Sequence, residues 1–505
     1  MPKKLKIAFI GGGSLGFTRR LILDLLMVPE FHHTDFALHD INEHNLFMVL
    51  QILERDIAAN GLAATVRGSL DRREALKDAD YVICCVRQGG LEAFRHDVEI
   101  PLKYGVDQCV GDTLGPGGIL YGQRTIAAVL DFCRDIREVA RPGALLLNYS
   151  NPNAMVTWAC NQYGKVPTVG LCHGVQHGAQ QIADALKIPR EEFDYKCIGI
   201  NHQTWYVEVR RSGQLVPQQE IYDAMMAVPK IRETEKVRMD MFKRFGYFST
   251  ESNGHLSEYL PFYRKRPSEL PEWIDLKTAW IHGETGGYLR VCTEERNWFE
   301  AEFPELIRKE PAKLDNRSHE HGSFIIEGLE TGRIYRGHFN VVNRNHITNL
   351  PNGCIVEIPG YVDRNGFNMP VYGDLPLGCA AICSASVRVQ QLAVEAAVHG
   401  DAELLKQAML LDPLTGAVCT PPEVWQLADE MLVAEAEWLP QYQDYIPEAK
   451  RNLAENYLTP GAPPVNPATR LELRETGDIV RARRDAEAKA IAEKQKVEYN
   501  PDKRI

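Results

Sequence analysis

Residues 4–28 constrain the fold of this chain more than any other stretch. Lys4-Leu5-Lys6-Ile7-Ala8-Phe9-Ile10 is a largely apolar run of strand length. It lacks the strict alternation of a half-exposed strand, which predicts a parallel strand covered on both faces. It leads into Gly11-Gly12-Gly13-Ser14-Leu15-Gly16 and then into a segment, 17–28, with helical periodicity. That is G-x-G-x-x-G in the strand–turn–helix setting that holds a dinucleotide. Gly11 allows the tight turn, Gly13 lets backbone approach a diphosphate, and Gly16 lets helix and strand pack closely. The diphosphate would rest on the free N–H groups at the helix start.

A second strand, 35–39, ends at Asp40, at the distance where a carboxylate accepts from ribose hydroxyls. A carboxylate there repels a 2′-phosphate and so favours NAD over NADP. Asp40 also suits the N-cap of a helix entered through Ile41-Asn42-Glu43, and the two roles are compatible. Further strands, 80–86, 145–149 and 168–171, end in Arg87-Gln88-Gly89-Gly90, Ser150-Asn151-Pro152 and Cys172. Strands alternating with helical segments predict an α/β fold with a Rossmann-like doubly wound parallel sheet, where ligands lie beyond the carboxyl ends of strands. Gly11, Gly89, Asn151 and Cys172 all fall on that rim. Between them, 104–124 carries Gly115, Gly117, Gly118 and Gly122, a backbone able to approach a ligand or a surface loop. Arg124 closes this stretch, beside substrate or cofactor, or in a surface salt bridge.

At 505 residues the chain exceeds one ordinary domain. The expected division is 1–197 for the NAD-binding domain and 198–457 for a mixed α+β substrate and oligomerisation domain. The remainder, 458–505, is a linker with a charged helical extension, opened by Pro460-Gly461-Ala462-Pro463-Pro464. In the second half, 218–245 reads as helices and 268–312 as mixed helix and loop. Strands at 334–342 and 354–359 flank a hairpin-like turn at Asn352-Gly353, and 380–398 forms an amphipathic helix. His319, His321, His338 and His346 lack a metal-ligand spacing and read as surface or pocket residues. A net charge of −11 argues against non-specific nucleic-acid binding. No apolar run nears the roughly 18 residues of a membrane span, and no signal-peptide pattern opens the chain. Twelve cysteines without regular spacing, Cys84, Cys85, Cys160, Cys379 and Cys383 among them in apolar surroundings, predict free thiols in a reducing cytoplasm.

With these motifs assembled, the chain resembles glycoside hydrolase family 4 over roughly residues 5–440. The likeness rests on Ile10-Gly11-Gly12-Gly13-Ser14, Asp112-Thr113-Leu114-Gly115-Pro116-Gly117-Gly118 and the run 148–158 that opens Asn148-Tyr149-Ser150-Asn151-Pro152. It continues through Gly170-Leu171-Cys172-His173-Gly174-Val175-Gln176, Gly199-Ile200-Asn201-His202, and the run 246–252 with Glu258-Tyr259. The pattern is nearest the α-galactosidase branch. One position departs: that branch usually has serine where Gly174 stands, and glycine is similar to the α-glucuronidase and α-glucosidase branches.

The resemblance implies NAD and Mn²⁺, or another divalent metal, and an exception to the two-carboxylate scheme of most glycosidases. A hydride leaves sugar carbon 3, a base removes the carbon 2 proton, the aglycone departs, water adds and the hydride returns. Cys172 and His202 are then the protein ligands of the metal, although a thiolate with an imidazole alone would suggest zinc. His173 stands where one branch has an aspartate acid, and Tyr259 resembles the carbon 2 base, with Glu251 and His255 as competitors. Asn151 would bond sugar hydroxyls. Phosphosugar relatives place an arginine near residue 94, where this chain has Phe94 with Arg95 one step off, which points to unphosphorylated α-galactosides. The same mechanism on α-hexuronides or α-glucosides is the alternative, acting as a homodimer or homotetramer. A 2-hydroxy acid dehydrogenase or an NAD-sensing module would share the first half but leave Cys172 with His202 unexplained.

Overall fold

The computed structural model describes residues 4–275, 279–295 and 298–461. Twelve strands form one sheet: β1 Lys6–Ile10, β2 Asp35–His39, β3 Thr65–Ser69, β4 Tyr81–Cys84, β5 Leu145–Asn148, β6 Thr168–Gly170, β7 Phe193–Ile200, β8 Gln203–Arg211, β9 Gln214–Leu215, β10 Tyr335–Val342, β11 Ile355–Asp363 and β12 Gly366–Asn368. The first six run parallel in the order 3-2-1-4-5-6, the doubly wound arrangement expected. Every residue of β1 is buried, as its apolar run requires between two helical layers.

The second half of the chain extends this sheet instead of building a separate one. β10 lies antiparallel on β6 through Asn340 and Gly170, then pairs along its length with β11. β11 meets β7 at Glu357 and Gly199, and β7, β8 and β9 complete the order. The short edge strand β6 is thereby covered, which removes an open row of backbone donors and acceptors. The cores are shared as well: Ile325, Ile326 and Phe339 lie in one cluster with Phe9 and Leu38.

The glycine run of 104–124 differs from its expectation. Gly115–Val139 is a single helix, buried through its first turns. A Cβ at Gly118 would stand 2.5 Å from the Thr113 carbonyl carbon, and one at Gly117 2.6 Å from the Asp97 carbonyl oxygen. These glycines serve close packing at a helix start, and neither the surface loop nor the ligand-facing backbone survives for this part. The Asn352-Gly353 turn belongs to a longer connection between β10 and β11. The helix Leu377–His399 is long and apolar enough by composition to cross a membrane, and half of its apolar window is buried inside the molecule. Ser386 on it donates to Gln203 Oε1 at 2.8 Å, the place of a core helix. The charged extension expected within 458–505 lies, from 462 on, outside the described residues.

Candidate active site at the rim of the sheet

Gly11 has φ +87°, and a Cβ there would lie 2.2 Å from the Cys85 carbonyl oxygen, so only glycine turns the chain at this point. The N–H groups of Gly11 and Gly12 both donate to the His39 carbonyl, at 3.0 and 2.9 Å. Asp40 Oδ2 accepts from Gly13 N–H at 2.8 Å and Oδ1 from Asn42 N–H at 2.9 Å. Its carboxylate is thus fixed beside the glycine turn, with lone pairs left for further donors. The N-cap of the helix Glu43–Ala59 is Asn42, so Asp40 does not serve as that cap. Gly16 is exposed, with nothing within 4 Å of a Cβ built on it. The close helix–strand contact expected there belongs to Gly12, whose Cβ would meet Leu38 Cβ at 3.0 Å. A cleft of about 320 Å³ opens over Gly13, Ser14 and Gly16, faced by Phe299.

Cys172 lies two residues past β6, and His202 sits in the two-residue connection of β7 and β8. His202 has φ +63°, a left-handed conformation uncommon for a side chain of its size and of the kind that clusters at functional sites. Two overlapping groups form around it: Cys172, His202 and Glu251, and Asp112, His202 and His255, each with its donor atoms within 4.8 Å of one another. Thr113 Oγ1 donates to Asp112 Oδ1 at 2.7 Å and lies 2.8 Å from His202 Nδ1. The hydroxyl therefore accepts Nδ1–H, which leaves the Nε2 lone pair for a metal.

Distant parts of the chain hold these groups. Glu258 accepts from the backbone N–H of Cys109, Val110 and Gly111 at 2.6, 2.9 and 3.0 Å and so ties down the loop that carries Asp112. Burial pushes the Glu258 carboxyl up to about 7. Thr250 N–H donates to the Thr204 carbonyl at 2.9 Å, which registers Glu251 against β8. Burial, then the Glu251 and Glu357 carboxylates, push the Cys172 thiol well above its ordinary value. Burial would also raise Glu251, yet His202 and His255 hold it below the usual carboxylate value. The ligand atoms of Cys172, His202 and Glu251 lie within 4.8 Å of one another, an arrangement that one cation would complete.

Tyr259 is fully buried, with its hydroxyl 3.4 Å from His202 Nδ1. Burial, then Asp112 and Glu258, push its phenol far up. Asn151 donates through Nδ2 to Asp112 Oδ2 at 2.8 Å. His173 precedes the helix Gly174–Leu186, with its Nε2 2.8 Å from Glu320 Oε2. Burial lowers its imidazole, but Glu320 outweighs that and the net shift is upward. Cys172, His202, Tyr259, Asn151 and His173 therefore gather at the carboxyl rim.

Arg124 does not join them. It is fully buried, with Nη1 and Nη2 donating to Asp97 at 2.9 and 2.7 Å and Nη1 also to Glu435. Its fork is spent on two buried acids, so it is neither a substrate contact nor a surface ion pair. His321 and His338 are also buried, so neither is a surface residue. His321 Nε2 lies 3.1 Å from the Cys172 carbonyl oxygen and Nδ1 2.7 Å from the Tyr335 hydroxyl. Burial pushes its imidazole down to about 4, so it is neutral and steadies the Cys172 backbone. Of the predicted buried thiols, Cys84, Cys160, Cys379 and Cys383 are buried, Cys85 is half-buried, and all twelve cysteines are free.

Sequence reasoning left Asp112, Glu320 and Arg87 without a role. Asp112 stands at the head of a glycine-rich stretch, where nothing in its spacing marks it as a metal ligand. Glu320 has no signal at all, since 147 positions separate it from His173. Arg87, three residues past β4, stacks over Phe94 and Tyr121 at 4.3 and 4.9 Å, and its Nη1 is buried without a hydrogen-bond partner.

The glycine turn with Asp40 at the switch of a doubly wound sheet, and a thiol–imidazole pair farther along the rim, define the class as a dinucleotide-dependent enzyme with a metal cradle. Comparison with known proteins narrows it: this chain belongs to the family 4 glycosyl hydrolases. The family's sequence profile matches residues 6–188 and that of its C-terminal domain residues 197–415. An alpha-galactosidase of Rhizobium meliloti (strain 1021) is 60% identical over 451 residues, 89% of this chain and 92% of that protein. An alpha-galactosidase of Bacillus subtilis (strain 168) is 33% identical over 440 residues, 87% of this chain and 100% of that protein. Among solved structures, a 6-phospho-alpha-glucosidase from gut microorganisms in complex with NAD and glucose-6-phosphate aligns with TM-score 0.70 at 26% identity. That alignment covers 87% of this chain and 99% of the other.

Proposed function

We propose that this protein hydrolyses unphosphorylated α-galactosides with NAD and a divalent metal, Mn²⁺ foremost. The observation that carries the reading is the convergence of Cys172, His202 and Asn151 on the same carboxyl rim that carries the glycine turn and Asp40. Identity of 60% to an alpha-galactosidase supports the sugar. Phe94 is buried and Arg95 half-exposed, its guanidinium paired with Glu99 at 3.4 Å, which supports a substrate without phosphate.

The bound cofactors supply a hydride acceptor and donor for sugar carbon 3 and a positive charge for the enediolate that follows. Gly11, Gly13, Gly16 and Asp40 hold the dinucleotide, with Asp40 on the ribose. Cys172 and His202 Nε2 would hold the metal, and Thr113 keeps the His202 ring in the tautomer that leaves Nε2 free for it. Asn151 Oδ1 accepts a sugar hydroxyl while Nδ2 stays on Asp112. Tyr259, whose hydroxyl lies 3.4 Å from His202 Nδ1, would take the carbon 2 proton, and a bound cation would lower its raised phenol. His173, kept protonated to higher pH by Glu320, gives a proton to the leaving oxygen. In this reading 1–197 is the NAD domain, 198–457 supplies substrate and metal groups, and the enzyme is a cytoplasmic homodimer or homotetramer.

The test is aglycone release from nitrophenyl α- and β-glycosides and uronides, with NAD⁺ and Mn²⁺ present or withdrawn. Release that persists unchanged without both cofactors sinks the reading, and carbon 2 proton exchange with deuterated water is the expected companion. Cys172→Ser is expected to lose most activity while NAD⁺ affinity stays within about twofold; equal loss of both would mark Cys172 as structural. A hexuronide substrate has one observation in its favour, the Arg87 Nη1 buried near the rim without a hydrogen-bond partner, since a guanidinium suits a carboxylate. Faster turnover of α-galacturonide than α-galactoside would select it.

A further inference from the structure

Glu251 is enclosed by the cradle and bound by almost nothing else. Its Oε1 lies 3.7 Å from Cys172 Sγ and its Oε2 3.9 Å from His255 Nδ1. The side chain is only 16% exposed. A carboxylate this enclosed, with a thiol as its nearest donor, lacks the hydrogen bonds that buried acids ordinarily have.

The space it occupies is supplied by Gly174. A Cβ on Gly174 would lie 1.7 Å from Glu251 Oε1 and 2.7 Å from Cδ. The backbone there is that of a helix start and does not need glycine, so it is the carboxylate that excludes a side chain. Any larger residue at 174 must turn Glu251 away from the thiol. Once Cys172 is a thiolate, two anions at this distance repel unless a cation lies between them.

We propose that Glu251 is a third protein ligand of the metal, in a Cys172–His202–Glu251 seat, and that Gly174 is the residue that admits it. This deepens the metal-dependent function proposed above and rests on it. The chemistry agrees: sulfur and nitrogen alone favour zinc, and a carboxylate oxygen shifts the set toward Mn²⁺. The donor atoms of the three residues lie within 4.8 Å of one another, close enough to surround one ion.

The test uses the full-length protein with NAD⁺ bound, stripped of metal and titrated with Mn²⁺ by electron paramagnetic resonance. Glu251→Gln is expected to weaken Mn²⁺ binding at least about tenfold, with NAD⁺ affinity unchanged. Gly174→Ala moves it the same way, and the double variant binds no more weakly than Glu251→Gln, because both changes remove one interaction. Glu251→Asp recovers part of the affinity. With Co²⁺ in the site, the thiolate charge-transfer band persists in Glu251→Gln while the ligand-field bands shift. Wild-type Mn²⁺ affinity in Glu251→Gln overturns the assignment even if turnover is lost, because the residue would then act on the substrate. A wild-type protein that binds no Mn²⁺ overturns the metal-dependent function along with it.

Discussion

Arg124 and Arg87 look alike in the chain, each an arginine beside glycines near the expected rim, and the fold gives them opposite tasks. Arg124 spends its guanidinium on Asp97 and Glu435, all three fully buried. Removing one member of a buried ion network strands the others without solvent, which costs about 3–5 kcal/mol. Arg124→Met is therefore expected to lower stability to urea by that amount while kcat of the folded fraction holds. An unchanged midpoint would refute the structural role. Arg87 keeps a donor free, and only the burial of its neighbours reveals it. Neither difference has a local signature, because partners 311 positions apart decide whether a guanidinium is satisfied.

At the scale of elements, the glycine turn shows how one motif divides its work. Gly11 meets backbone at 2.2 Å and has φ +87°, while Gly16 meets nothing. Gly11→Ala should lower the melting temperature and abolish NAD⁺ binding together. Gly16→Ala should leave the melting temperature of the cofactor-free protein equal or slightly higher, since alanine in a helical turn is favoured by about 0.5–1 kcal/mol. A drop like that of Gly11→Ala would show that Gly16 packs after all, and calorimetric scans of both variants decide it. The motif was legible because strand, turn and helix are contiguous. The helix beginning at Gly115 was not, because glycine weakens a helix locally and only the close approach of Thr113 and Asp97 explains glycine there.

For the whole molecule, the decisive feature is that both halves build one sheet. β6 meets β10 through Gly170 and Asn340, and Ile325, Ile326 and Phe339 complete a core begun by Phe9 and Leu38. A fragment of residues 1–190 would expose that edge and leave the shared core open. It is expected to aggregate or to lack a cooperative unfolding transition by circular dichroism, whereas the full chain keeps one. A soluble, cooperatively folding fragment would mean that the first half stands alone.

Contacts between neighbours along the chain suffice for the parallel strands, the glycine turn held against Asp40, and the strand-end placement of Cys172 and Asn151, so the sequence alone carries all three. Resemblance added His202, His173 and Tyr259, whose spacing alone allowed several tasks. Tertiary structure alone decided that Asp112, Glu251 and His255 converge on His202, that Glu320 backs His173, and that Arg124 is sealed inside. Those groups come from loops held by distant backbone, such as the 109–111 turn gripped by Glu258. Burial and pairing are properties of the folded surroundings, and no window of sequence contains them.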